Sequence, residues 1–453
     1  MKNPRDQGRS GLVALTKFIP MLETSPYNRD EESLATSHQE QIPDMVQIEQ
    51  GVSTQSLESL LSQRGKRVAK PRTGDPQASA NLISLIYGYP DAESLPAAAV
   101  AESTSRVMER DGKWALQYGR SQGVLPMVDA LIEKLARDQG LKATRDEVLI
   151  TAGGSQAVAL ALDLFVDSGD TVVVEAPSWM GFLWALRNVG GSAVSVPVDN
   201  EGMNLDELET TLECLQADGV TPKLIYVIPN FQNPSGVSMS IERRKRLIEI
   251  ANRYGTMIFE DDAYHDLRYS GERLPTIYSL DNSGSTMYTA TLSKIMGAGM
   301  RIGWLIATPD IIGRMAALKV DGSTNVFGSY VAADWMQDKL APHIEELKQI
   351  YSGRRDAMLE SLERHMPKGT TWTKPDGGFF VWVTVPEGID MTELLPHARE
   401  RGVEYLAGST CFAGNSGHNT LRLAFSFATE PQIEEGIRIL GEIVRVELLE
   451  SGT

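Results

Sequence analysis

The chain predicts an α/β fold: a mostly parallel sheet of seven strands sandwiched by helices, then a smaller α+β unit. Three observations lead there. Seven short β-prone runs lie between residues 147 and 307, and several are apolar on both faces, as buried strands of a parallel sheet are. Helical patterns stand between many of them. After about residue 335 the order changes to one long charged helix, three β-prone runs and a last helix.

Taken in chain order, residues 1–52 are polar and broken, with SPYNRDEESLATSHQEQ at their centre, and read as a mobile or partner-wrapped arm. Residues 53–70 can form a short helix, and 71–80 are loop-like. Val124, Met127, Val128, Leu131, Ile132 and Leu135 recur at helical spacing. The strand runs are 147–151, 171–177, 192–198, 223–230, 256–262, 287–293 and 301–307. An apolar helix is expected after the first and a charged one over 241–255. Beyond 335, KLAPHIEELKQIYSGRRDAMLESLERHM reads as an amphipathic helix, followed by strands in GGFFVWVTVP, VEYLAGSTCF and TLRLAFSFA.

The 453 residues carry a formal charge of −17. That balance argues against nucleic acid and against an anionic membrane surface. Cys214 and Cys411 form no CxxC pair and fit a reducing compartment. Six histidines show no metal-ligand spacing, so no protein-built metal site is expected. No apolar run nears the ~20 residues needed to cross a bilayer, and the interrupted GLVALTKFIPML is a poor signal peptide. The expectation is a soluble, cytoplasmic protein.

Ligands of such a sheet sit at the carboxyl ends of its strands. The polar residues at those ends are TAGGSQ, EAPSWMG, PNFQNPSG, EDDAYHD and TLSK. After the first, backbone N–H groups at Gly154, Ser155 and Gln156 would point from a helix start toward an anion. Thr291 and Ser293 add hydroxyls, and Arg301 adds a planar fork suited to phosphate. Lys294 lies between them, and lysine forms Schiff bases with aldehydes. An aldehyde that carries a phosphate is pyridoxal 5′-phosphate. Its ring nitrogen would want Asp261, its ring face Trp179, and its 3-oxygen Asn233 and Tyr264.

At these residues the chain resembles the fold type I pyridoxal-phosphate-dependent aminotransferases of class I and II, and among them the α-aminoadipate, kynurenine and multi-substrate branch. The resemblance covers residue 53 to the C-terminus. SLIYGYP matches the substrate-covering segment, with Gly88 at its glycine, and ALQYGRSQG the segment whose Tyr118 reaches the neighbouring subunit's phosphate. GGSQ gives Ser155 and Gln156 to the phosphate; APSWMG gives Trp179; QNPSG gives Asn233; EDDAY gives Asp261 and Tyr264. TLSKIMGAGMRIGW gives Thr291, Ser293, Lys294 and Arg301, and LRLAFS gives Arg422 as the clamp on the substrate α-carboxylate. The resemblance implies catalytic roles for Lys294, Asp261 and Tyr264, and substrate contacts from Gly88, Asn233 and Arg422. It implies amino transfer from an apolar, aromatic or aminoadipate-like α-amino acid to a 2-oxo acid such as 2-oxoglutarate. It also implies a homodimer and a division into 1–52 (extension), 53–100 (contributing to the small domain and dimer contacts), 101–335 (large cofactor-binding domain) and 336–453 (small domain). Two departures stand out: Trp179 replaces the family's usual tyrosine, and Tyr87 stands where glycine is common.

Other readings compete. GAGMRIG is GxGxxxG and not the dinucleotide GxGxxG. Asp261 with Asp262 could be a hydrolytic acid pair, but Asp262 more simply caps or faces solvent. His265 reads as a packing residue, and Met296, Met300 and Met315 as core filling. Tyr118 could be a plain surface tyrosine, and Arg422 could pair with a structural carboxylate. The same cofactor would also serve a β-lyase, racemase or decarboxylase. A regulator carrying an aminotransferase-like domain would need a winged helix, for which ~50 acidic-to-neutral residues are too short.

Overall fold

The computed structural model describes residues 58–68 and 82–451. The expected arm over 1–52 and the loop over 71–80 lie outside them. Within residues 53–70, a short helix forms at Gln63–Arg67, where the Ser62 hydroxyl accepts from the Gly65 N–H.

The main sheet holds β1 (Val148–Thr151), β2 (Thr171–Ala176), β3 (Ser192–Asp199), β4 (Gly202–Met203), β5 (Leu224–Val227), β6 (Met257–Asp261), β7 (Thr286–Thr291) and β8 (Gly303–Ile306). Their spatial order is β1-β8-β7-β6-β5-β2-β3-β4. The pairs β3–β2–β5–β6–β7 are parallel, and β8 runs antiparallel to both β7 and β1. The seven expected strands are all present, and the two-residue return β4 adds an eighth at the edge. β5, β7 and β8 are buried throughout, whereas β3 near the edge exposes Ser192 and Ser195.

Alternation across the strands separates two apolar layers. Val172, Val174, Tyr226 and Phe259 point to one face, and Val173, Ile225, Val227 and Ile258 to the other. Helices cover both faces: α1 (Ala97–Ala115), α2 (Leu125–Gln139), α3 (Gly154–Phe165), α4 (Met180–Val189) and α5 (Ile241–Tyr254). α2 buries Met127, Val128, Leu131 and Leu135 of its expected stripe. Gly140 at φ +64° ends it, a left-handed C-cap that glycine takes without strain.

α6 (Val326–Asp338) has no counterpart in the sequence reading. It is buried nearly all round, including Val331, Ala332, Trp335 and Met336, so it carries no one-sided apolar stripe to find. The long charged helix is α7 (Leu340–His365), and the last is α8 (Glu430–Ser451). Between these two lies an antiparallel sheet of β9 (Thr371–Trp372), β10 (Phe380–Thr384), β11 (Leu406–Ala407) and β12 (Thr420–Ala424), in the order β9-β10-β12-β11. The pair Ile83–Ser84 and Val403–Glu404 ties residues before α1 to this C-terminal region.

Candidate active site

The strand ends of the main sheet place Lys294 and Asp261 near one another. β7 stops at Thr291, two residues short of the expected end, because Leu292–Lys294 turns into a 3₁₀ helix. The Thr291 side chain caps that turn by accepting from the Ser293 N–H at 3.1 Å. Lys294 Nζ, on a half-buried side chain, donates to the Gly88 carbonyl at 3.0 Å. Burial, with Arg422 and Arg301 nearby, pushes the amine down to about 8, and Asp261 only partly opposes that. The lysine is therefore poised near its neutral, nucleophilic form.

Asp261 ends β6 and is buried. Burial lifts its carboxyl to about 7, despite a 2.9 Å hydrogen bond from the Tyr226 hydroxyl and the charge of Lys294. A carboxylate this short of positive charge would be ionised by a cationic ring nitrogen placed against it.

At the phosphate end, Gly153 takes φ +77° and α3 begins at Gly154. The first N–H groups of a helix lack intrahelical acceptors, which leaves those of Gly154 and Ser155 for an anion. The Gln156 N–H does not join them as expected; it donates to the Gly153 carbonyl at 3.2 Å. Arg301 precedes β8 instead of starting it, at φ +49°. Its guanidinium donates to the Ala152 carbonyl at 2.6 Å, and a Cβ on Gly153 would stand 2.8 Å from Arg301 Nη2. Glycine is thus required where arginine and helix start converge. The Thr291 and Ser293 hydroxyl oxygens lie 2.8 Å apart beside them. Trp179 caps α4, its half-buried ring folded over Gly181, whose added Cβ would fall 2.4 Å from the ring.

At the substrate end, Arg422 on β12 donates to Asn233 Oδ1 at 2.9 Å and to the Ile86 carbonyl at 2.6 Å. Its Nε is buried with no protein partner among the described residues. The guanidinium lies 4.1 Å from the Phe380 ring centre. Among the described residues its side-chain partners are an amide and a carbonyl and not a carboxylate. Tyr264 packs edge-on against Phe380, and Asn233 beside it partly opposes the upward push of burial on its hydroxyl. Gly88 leaves room for Phe380, since a Cβ there would be 2.5 Å from the ring.

One expectation about a neighbouring acid changes. Asp262 neither caps a helix nor faces solvent: it is buried, accepts from Asn230 Nδ2 at 2.9 Å and pairs with His265 Nδ1 at 2.9 Å. Tyr118 is 85% exposed in its own chain. Tyr226 was not singled out by the sequence reading, because inside KLIYVIPN it is indistinguishable from core; its β5 position opposite β6 is what aims it at Asp261. Glu175 was also missed. It accepts from the Ile228 N–H and Gln232, and its carboxyl is pushed up to about 8 by burial.

The donor set fits pyridoxal 5′-phosphate end to end: helix N–H groups and Arg301 for the phosphate, Trp179 for the ring, Asp261 for the ring nitrogen, and Lys294 for the aldehyde. Fold and site together define a lysine-anchored, pyridoxal-phosphate-dependent transferase.

The chain belongs to the aminotransferase class I and II family, whose model matches residues 81–440. It is 41% identical to the aromatic-amino-acid aminotransferase 1 of Thermococcus litoralis over 82% of this chain and 89% of that protein. The kynurenine aminotransferase of Pyrococcus horikoshii, solved with the pyridoxamine form PMP, superposes with a TM-score of 0.82 at 38% identity, covering 86% of this chain and 98% of that one. The α-aminoadipate aminotransferase of Thermus thermophilus, solved with N-(5′-phosphopyridoxyl)-L-leucine, does so at 0.79 and 30% identity, covering 87% and 99%. The protein is a pyridoxal-phosphate-dependent amino-acid aminotransferase acting on small molecules. No helix among the described residues is long and apolar enough to cross a membrane.

Proposed function

We propose that the enzyme moves the amino group of an apolar, aromatic or aminoadipate-like α-amino acid to a 2-oxo acid such as 2-oxoglutarate. The observation that carries this reading is the setting of Arg422. Trp382 and Leu406 stand directly across from it in the β10–β12 and β11–β12 registers, on the same face of the sheet. They share a buried apolar cluster with Cys411 and with Ile86, Met180 and Phe412. A carboxylate clamp set in an apolar wall suits an α-amino acid with an apolar or aromatic side chain, and relatives named for aromatic, kynurenine and α-aminoadipate substrates support that range.

Each residue then has a task. Arg422 grips the α-carboxylate with its fork, using the Nε that has no partner among the described residues. Asn233 and Tyr264 orient the ring's 3-oxygen, and Gly88 covers the substrate. Ser155, Thr291, Ser293 and Arg301 hold the phosphate end, with Gln156 bracing the turn that aims them, Trp179 covers the ring, and Asp261 keeps the ring nitrogen protonated. Bound there, the cofactor supplies an electron sink for the substrate's Cα. With the cofactor bound, Lys294 Nζ would take the Cα proton as general base and then give it back as general acid.

The proposal includes a homodimer in which Tyr118 reaches the partner's phosphate site. Trp114, Leu116, Tyr118 and Val320 are 58%, 70%, 85% and 94% exposed, which supports an interface that covers them. It also includes the division near residue 335, supported by the separate second sheet, and a cytoplasmic setting, supported by two unpaired thiols. A donor panel with 2-oxoglutarate, followed by cofactor absorbance, tests the reading. Conversion to the pyridoxamine form by aromatic or aliphatic donors supports it, and no conversion by any α-amino acid overturns it.

A further inference from the structure

Residues 319–325 form a loop tied to Gln156 beside the phosphate cradle. Asp321 is its centre. One carboxylate oxygen accepts from the Thr324 hydroxyl at 2.7 Å and from Gln156 Nε2 at 3.3 Å; the other accepts from the Ser323 N–H at 3.2 Å. The other end of the Gln156 amide is fixed as well, since its oxygen accepts from the Ala152 N–H at 2.7 Å. A backbone N–H and a carboxylate can be satisfied together in only one orientation of that amide. The side chain thus spans from Asp321 to the turn just before α3.

Lys319 anchors the loop from behind. Its buried Nζ donates to the Ser121 carbonyl at 2.6 Å and the Ile150 carbonyl at 3.1 Å, and sits 3.6 Å from Asp321. Ile150 belongs to β1, which leads directly into the cradle. The loop also stores backbone strain: Ser323 and Asn325 take φ +124° and +38° without being glycine. Strain of this kind persists where the surrounding contacts over-determine it.

We propose that Asp321 is a positioning residue for the cofactor phosphate. It holds Gln156, and Gln156 holds the Ala152–Gly153 turn, so that the Gly154 and Ser155 N–H groups and Arg301 meet at one point. Asp321 does this without touching the phosphate, and Lys319 offsets its negative charge. The inference rests on the reading that pyridoxal 5′-phosphate binds at Lys294.

The test is a double-mutant cycle in which pyridoxal 5′-phosphate is titrated into apoenzyme and binding is followed by protein fluorescence. D321A is expected to weaken binding about tenfold, the scale of one charge-assisted hydrogen bond. Q156A is expected to lose a similar factor, and the double variant no more than Q156A alone. D321N keeps an acceptor for Thr324 and Gln156, should lose less than D321A, and serves if D321A does not fold. Unchanged binding in D321A would overturn the proposal. So would tighter binding, which would mean that repulsion of the phosphate dominates, or losses that simply add in the double variant. Wild-type protein that takes up no cofactor would instead sink the functional reading.

Discussion

The Tyr226 hydroxyl donates to Asp261 Oδ2 at 2.9 Å from a ring stacked on Phe182, with centroids 3.7 Å apart. A buried tyrosine thus holds the carboxylate assigned to the ring nitrogen, and its own partner is fixed by aromatic packing.

Tyr226→Phe keeps that stack and removes only the donor. A hydrogen bond to a charged acceptor is worth about 1.5–3 kcal/mol, so kcat/KM should fall by roughly ten- to a hundredfold. The fold should persist. Steady-state kinetics beside a thermal melt separate the two, and unchanged kcat/KM would remove Tyr226 from the account.

Gly88→Ala places a methyl group 2.5 Å from Phe380, the ring against which both Arg422 and Tyr264 pack. Overpacking costs about 1–3 kcal/mol, and here the displaced ring disturbs the carboxylate clamp. KM for the amino donor should rise more than kcat falls.

The pH at which apoenzyme captures its cofactor reports on Lys294. Its amine is pushed down to about 8 from 10.5, and only the neutral amine attacks an aldehyde. The capture rate should therefore rise with pH and level off above about 8, as absorbance stopped-flow would show. A rise continuing beyond pH 10 would mean an ordinary, solvated lysine.

Glu175→Gln should be tolerated. The Glu175 carboxyl is pushed up to about 8 from 4.5, so the folded state favours its protonated form. The resulting stability is full below about 4.5 and is lost as pH rises through about 8. Gln mimics the protonated form, so the variant's apoprotein stability should fall less steeply over that window, by up to about 1.4 kcal/mol per pH unit. Denaturant titrations across the window check it; parallel slopes would contradict it.

The strand ends were legible in the sequence because parallel strands are apolar on both faces and stop at polar residues. Lys294, Asp261 and Arg301 could be named from their types and order, and Arg422 from the family resemblance. Tyr226 and Asp262 could not, since what defines them is cross-strand neighbourhood and burial, which depend on register. Gln156 was named for its backbone N–H, yet the structure engages that N–H within the chain and uses the side chain to brace the turn. α6 escaped because a helix buried on every side has no period to read.

The central claim is that Lys294 alone carries the cofactor. Reducing the cofactor-loaded enzyme with borohydride and mapping its peptides by mass spectrometry tests it directly. The account predicts one added phosphopyridoxyl group, on Lys294; a group on another lysine, or on none, would contradict it.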